Sequence, residues 1–231
     1  MEGLPCGPAA VGAGSLGGVT RLFIVRHGET EWNTLGLLQG AVDIPLSDAG
    51  RGQALQMASA LSRLVAPDAV LVSSDLSRAH DTGLALGAEL GRQVSVDPRL
   101  RERAYGVWEG ITPEEREERW PEQVAEWHAH GNPHIDGFEV HKLVRARMVE
   151  AIEEWADAAP SDLVVFTHGS SARIGMMGLL GLSLDHRTLG NLGNTCWSRL
   201  RRRYGGDWTL ERHNVWVDAL YVESQGAGVA Q

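Results

Sequence analysis

At 231 residues, 43% hydrophobic and 22% charged, the chain has the size and composition of one ordinary globular domain with a substantial core. A net charge of −9 argues against a general nucleic-acid binder or a protein that lies on anionic membranes, although a local arginine cluster can still hold an anion. Two cysteines, Cys6 and Cys196, support neither a disulfide framework nor a zinc site, and a reducing, cytoplasmic location fits them.

Residues 1–19 are rich in Gly and Ala and almost uncharged, without the basic start or apolar core of a signal peptide. They read as a disordered tail ahead of one domain, 20–231. No stretch has the roughly 20 apolar residues that cross a bilayer. Leu22-Phe23-Ile24-Val25 then reads as a strand buried on both faces, and it stops at Arg26-His27-Gly28. A histidine there sits in the crevice past the strand ends, where open α/β sheets keep ligands. Gly28 permits a sharp bend or a close backbone approach. A polar loop follows to Leu46. Ser47 is the expected N-cap of a helix whose buried stripe is Ala54, Met57, Ala58, Leu61 and Val65, ended by Pro67.

A second apolar strand, 69–73, leads into a helix expected over 74–90, with Arg78 in its first turn and Gly91 closing it. A short edge strand at 93–96 runs out to Leu100-Arg101-Glu102 and the loop Tyr105-Gly106-Val107-Trp108-Glu109-Gly110. Helices are expected at 112–119, at 121–130 and, after a Gly/Pro turn, at 139–158, the last with a buried stripe of Val140, Val144, Met148, Ile152 and Trp155. The strand 163–167 is strongly apolar and ends on His168-Gly169. A short helix to about Leu182 and a hairpin, 194–203 with 207–212 around Gly205-Gly206, complete the chain.

Attack on a phosphate monoester needs a nucleophile, cations on the transferring oxygens, a further donor and a proton source for the leaving oxygen. His27, the pair Arg26 and Arg78, His168 and Glu102 are residues of those types. Taken singly, each has a plainer explanation: Arg78 is a solvated helix-face charge, His27 a chance strand-end histidine.

Taken together and in order, four blocks resemble the histidine phosphatase superfamily, the phosphoglycerate mutase-like proteins, over nearly all of the chain from Arg21 onward. The blocks are Arg26-His27-Gly28-Glu29-Thr30 with Asn33; Ser73-Ser74-Asp75-Leu76-Ser77-Arg78-Ala79; Leu100-Arg101-Glu102 with the Tyr105–Gly110 loop; and Thr167-His168-Gly169. The resemblance implies an α/β fold, a doubly wound three-layer α/β/α sandwich whose mostly parallel sheet has an antiparallel edge strand. It implies a phosphohistidine at His27, Glu102 as proton donor, and a phosphate pocket of Arg26, Asn33, Arg78 and His168, with Gln39 at the substrate rim and Gly169 as a further substrate-binding residue. No metal or other cofactor is implied.

Mutases of the superfamily carry a long insertion after the acid block. That connection is short here, so water should reach the phosphohistidine and the chain should be a phosphatase. Gln39, the block 74–82 and Gly193-Asn194-Thr195-Cys196-Trp197-Ser198 are similar to glucosyl-3-phosphoglycerate phosphatases. Two departures border the expected leaving-group side: Asp136-Gly137-Phe138-Glu139-Val140 in place of Gly-Gly-Glu-Ser, and Ser170-Ser171 in place of a small-plus-aliphatic pair. The alternatives are a phosphatase of other metabolites such as α-ribazole phosphate, a mutase, and a non-catalytic module that binds a phosphorylated ligand.

The expected partner is a small phosphorylated metabolite, with no nucleic acid and no membrane; a homodimer is compatible. Trp32 and Trp108 are candidate sugar platforms, while Trp155 and Trp197 read as core. His128, His130, His134 and His141 read as exposed helix and loop histidines rather than a metal site, because two residues apart on a helix do not share a face.

Overall fold

The computed structural model describes residues 21–185, 188–202 and 206–217. The tail at 1–19 and the first glycine of the hairpin tip, Gly205, lie outside them. Among the described residues no helix is long and apolar enough to cross a membrane.

The core is a six-stranded sheet built from β1 (Arg21–Arg26), β2 (Val70–Ser73), β3 (Val94–Val96), β4 (Leu163–Thr167), β5 (Trp197–Arg202) and β6 (Trp208–Val215). Its order is β3-β2-β4-β1-β5-β6. The pairs from β3 to β1 are parallel; β5 runs antiparallel to both β1 and β6, so the antiparallel pairing is confined to the hairpin edge. Because side chains alternate across a strand, each apolar run feeds two layers. Leu22, Ile24, Leu163 and Val165 pack under α6 (His141–Ala158) and α7 (Gly169–Leu179). Phe23, Val25, Val164 and Phe166 pack under α2 (Asp48–Leu61) and α3 (Ser77–Leu90). This is the expected three-layer sandwich. Burial on both faces is why these strands read as continuous apolar runs.

Local expectations held where the chemistry was local. The Ser47 side chain accepts from the Gly50 N–H at the start of α2, and the whole stripe from Ala54 to Val65 is buried, although the helix ends at Leu61 rather than at Pro67. Two helix starts fall later than expected. The backbone at 74 still pairs as strand, with Ser74 N–H donating to Phe166 O, so α3 begins only at Ser77. Val140 precedes α6 in extended conformation and is 41% exposed, not part of the buried stripe. A short α1 (Glu31–Thr34) stands inside the expected loop, closed by a reciprocal cap between Thr30 and Asn33.

Above the strand ends lies a small cap. It comprises α4 (Pro113–Arg119), α5 (Pro121–His130) and an aromatic cluster of Tyr105, Trp108, Trp127 and Phe138. Trp108 is completely buried there, so it cannot serve as a sugar platform. Trp32 packs its ring over Gly110. Trp155 and Trp197 are core, as read.

Candidate active site

The two His-Gly pairs are one event repeated on neighbouring strands. β1 and β4 pair in register up to Arg26 opposite Thr167, and the His27 N–H donates to Thr167 O at 3.0 Å. The next residues, His27 and His168, therefore face each other with ring centroids 5.2 Å apart. Both rings are buried. His27 Nδ1 lies 2.7 Å from Gly28 O, a carbonyl that can only accept, so Nδ1 carries the proton and the lone pair remains on Nε2. Burial, and then the charges of Arg26 and Arg78, hold the ring's pKa well below the ordinary 6.5, which keeps it neutral.

Gly28 is needed for a close approach: a Cβ there would stand 2.5 Å from Gly50 O. Gly50 returns the constraint, since its own Cβ would meet Glu29 O at 2.0 Å. The start of α2 thus presses directly on the loop after His27. Behind it, Thr82 Oγ1 accepts from the Gly28 N–H.

A cavity of about 160 Å³ opens at His27, lined also by Arg26, Asn33, Gln39, Arg78 and Glu102. Arg26 donates through Nη1 to Leu192 O, while its buried Nε has no partner among the described residues. Asn33 Oδ1 accepts from Thr30 N–H and from Asn194 Nδ2, which turns its NH2 the other way. Gln39 sits on a tight turn at Gly40 (φ +50°), where Glu109 fills the space a Cβ would need. Arg78 is wholly buried and donates to Gly40 O, Val42 O and His168 Nδ1. Burial lowers its pKa to about 10, leaving it charged at neutral pH.

His168 stands one layer back and does not border this cavity. An arginine can only donate, so His168 Nδ1 accepts from Arg78 Nε and Nε2 gives its proton to Ser74 Oγ at 3.0 Å. Ser74 was legible only as part of a motif block; Tyr105 and Asn191, two further walls of the cavity, were not anticipated as lining residues. Glu102 follows the short 3-10 turn Pro98–Leu100. Its carboxylate accepts from the N–H groups of Arg103, Ser170 and Ser171, the last two from the first turn of α7. That helix start therefore directs the Ser170 and Ser171 N–H groups at the Glu102 carboxylate. Arg147 braces the same loop, donating to the carbonyls of Arg99, Arg101 and Glu102 while pairing with Glu139.

Residues 22–215 match the family model described as histidine phosphatase superfamily (branch 1). The chain belongs to the histidine phosphatase superfamily. Within it the chain is a phosphatase by its relatives. It is 38% identical over 197 residues to a glucosyl-3-phosphoglycerate phosphatase of Mycolicibacterium vanbaalenii, covering 79% of this chain and 84% of the relative. It is 33% identical over 218 residues to the protein of that name from Mycobacterium tuberculosis, covering 88% and 97%. A solved structure of a mycobacterial glucosyl-3-phosphoglycerate phosphatase in complex with VO3 superposes with a TM-score of 0.77 at 33% identity, covering 84% of this chain and 98% of that one.

Of the two segments expected to border the leaving-group side, only Ser170 lines the cavity. Ser171 is fully buried and donates to Arg101 O. Phe138 packs under the Arg103 guanidinium, and Glu139 is engaged by Arg147. Of the four histidines, His128, His130 and His134 are exposed as expected, but His141 is buried at the start of α6 beside Gly131. Among the described residues no group of three or more His, Cys, Asp or Glu is arranged to hold a metal ion.

Proposed function

We propose that this phosphatase hydrolyses small phosphate monoesters through a phosphohistidine on His27, using no metal. The observation that carries the reading is the state of His27: neutral, buried at a cavity wall, with Nδ1 committed to Gly28 O and Nε2 left to attack. In-line attack needs the phosphoryl oxygens held and their charge offset. Arg26 through its unpartnered Nε, Arg78 through its remaining N–H groups, Asn33 and Gln39 supply that role. His168 fixes the plane of the Arg78 guanidinium and adds the second imidazole behind the pocket. Glu102 gives its proton to the leaving oxygen and afterwards takes one from the water that attacks the phosphohistidine.

The named relatives make glucosyl-3-phosphoglycerate the leading substrate candidate. Trp32 and Trp108 give that assignment no support, because neither reaches the cavity. A cytoplasmic site of action fits a phosphorylated metabolite. Phosphate release should be measured across a panel of glucosyl-3-phosphoglycerate, phosphoserine, α-ribazole phosphate and an aryl phosphate, with His27→Ala as control. Turnover that depends on His27 is expected, with the glucosyl ester at the highest kcat/KM. A glucosyl ester no better than the aryl phosphate removes the substrate assignment, and turnover retained by His27→Ala removes the mechanism.

A further inference from the structure

The segment that carries Glu102 has little regular structure of its own. Beyond the 3-10 turn Pro98–Leu100, residues 101–104 belong to no helix or strand. The carbonyls of Arg99, Arg101 and Glu102 all converge on one side chain, Arg147 of α6. We propose that Arg147, paired with Glu139, is a positioning residue that sets Glu102 for proton transfer to the leaving oxygen. The inference rests on the proton-donor reading of Glu102 above and adds the residues that aim it.

Every nitrogen of the Arg147 guanidinium is engaged. Nη1 donates to Arg99 O and Arg101 O, each at 2.7 Å, and Nη2 donates to Glu102 O at 3.3 Å. Nε and Nη2 donate to the two carboxylate oxygens of Glu139 at 2.8 and 2.9 Å, a bidentate pair. Glu139 in turn holds the far side of the acid residue. Its Oε2 accepts from the Ala104 N–H, and its own N–H donates to Ala104 O. The main chain is thus tied at 101, 102 and 104, on both sides of the carboxyl group. The side chains of Arg147 and Glu139 are only 20% and 19% exposed. Carbonyl oxygens aimed at one point repel one another, and a fixed cation between them offsets that repulsion.

Glu102 is therefore held from two helices. Its carboxylate accepts N–H groups from the first turn of α7 and from Arg103. Its main chain is tied to α6, where Val144 and Met148, on either side of Arg147 in the chain, are locked in the core. Ser171 joins the two supports, since its N–H donates to the Glu102 carboxylate and its Oγ to Arg101 O. Hydrogen bonds to the carboxylate fix the tip of the side chain; the Arg147 tie fixes its root. A proton donor must come within about 2.6–3.2 Å of its target. A displacement of about 1 Å costs on the order of 100-fold. Arg147 and Glu139 do not line the catalytic cavity, so their route to the reaction is through Glu102.

The test compares two esters of similar size, benzyl phosphate and para-nitrophenyl phosphate. The first leaves as an alkoxide that needs a proton; the second leaves with little protonation. Steady-state kcat/KM is measured for both in wild type, Arg147→Met, Arg147→Lys, Glu102→Gln and the double variant Glu102→Gln/Arg147→Met. The readout is the benzyl-to-nitrophenyl ratio within each enzyme. A pair that only stabilised the fold would slow both esters alike and leave this ratio where it was. Arg147→Met is expected to lower the ratio by about 10- to 100-fold. Arg147→Lys, which keeps the charge but not the planar fork, should lower it less. In the Glu102→Gln background, Arg147→Met should change the ratio by less than about 3-fold, because the group it positions is gone. Should Arg147→Met not fold, Glu139→Gln, which removes the charge pair and keeps the shape, is expected to lower the ratio in its place. A ratio that falls in Glu102→Gln but not in the folded Arg147 or Glu139 variants overturns the positioning role and leaves the proton donor intact. An equal further fall in the double variant also overturns it, since Arg147 would then act by another route. A ratio unchanged in Glu102→Gln removes the proton-donor reading, and the positioning role with it.

Discussion

Hydrogen bonds to the backbone hold both His27 and Glu102, one to the Gly28 carbonyl and three from the N–H groups of Arg103, Ser170 and Ser171. The Gly28 carbonyl fixes the His27 tautomer, and burial with two neighbouring guanidinium charges keeps the ring neutral well below 6.5. If the neutral ring is the nucleophile, lowering the pH through 6.5 does not switch the enzyme off. The acid limb of kcat/KM, corrected for the ester's own second ionisation, is expected below that value; a limb centred at or above 6.5 contradicts it. If Glu102 is the proton donor, Glu102→Gln slows esters of poor leaving groups far more than aryl phosphates, which leave with little protonation. Equal slowing of both classes would make Glu102 a positioning residue. That Glu102 ends up at the first turn of α7 was not legible: its partners, Ser170 and Ser171, lie 68 and 69 positions away.

At the scale of elements, the strands and their end points were legible because burial on both faces writes an apolar run directly into the sequence. The cap of α2 was legible because Ser47 and the Gly50 N–H it accepts from are neighbours in the chain. What escaped was set by distant backbone. α3 starts late because the Ser74 N–H continues a ladder with Phe166, and no residue near 74 announces that. Trp108 reads as a rim residue from its loop, yet it is sealed by Trp127 and Phe138, which arrive from segments about 20 to 30 positions on. The contact between α2 and the loop after His27 is a tight element junction. Gly50→Ala places a methyl 2.0 Å from Glu29 O, so the loop or the helix must move. A loss of about 1–3 kcal/mol is expected in denaturant unfolding, the range for overpacking. A drop in kcat should accompany it, because the displaced loop carries Asn33. Unchanged stability and activity would show that the junction yields freely.

Across the whole molecule, an acidic protein keeps a set of arginines at the carboxyl ends of its parallel strands and in the cap above them. The sandwich supplies the rigid frame. The loops after β1, β2 and β4, with the Glu102 loop, carry the candidate site residues, as expected of a doubly wound sheet. Fixed guanidinium charges in the place of a metal predict that exhaustive chelation leaves phosphatase activity intact; loss on chelation with recovery on adding a divalent cation contradicts this. Covalent catalysis by His27 is tested by trapping the phosphoenzyme without an acid quench. Rapid mixing with a labelled phosphate ester, alkaline quench and peptide mapping should find an acid-labile, alkali-stable phosphoryl group on His27, absent from His27→Ala. No trapped phosphate during active turnover, or phosphate mapped to another residue, would rule out His27 as the nucleophile.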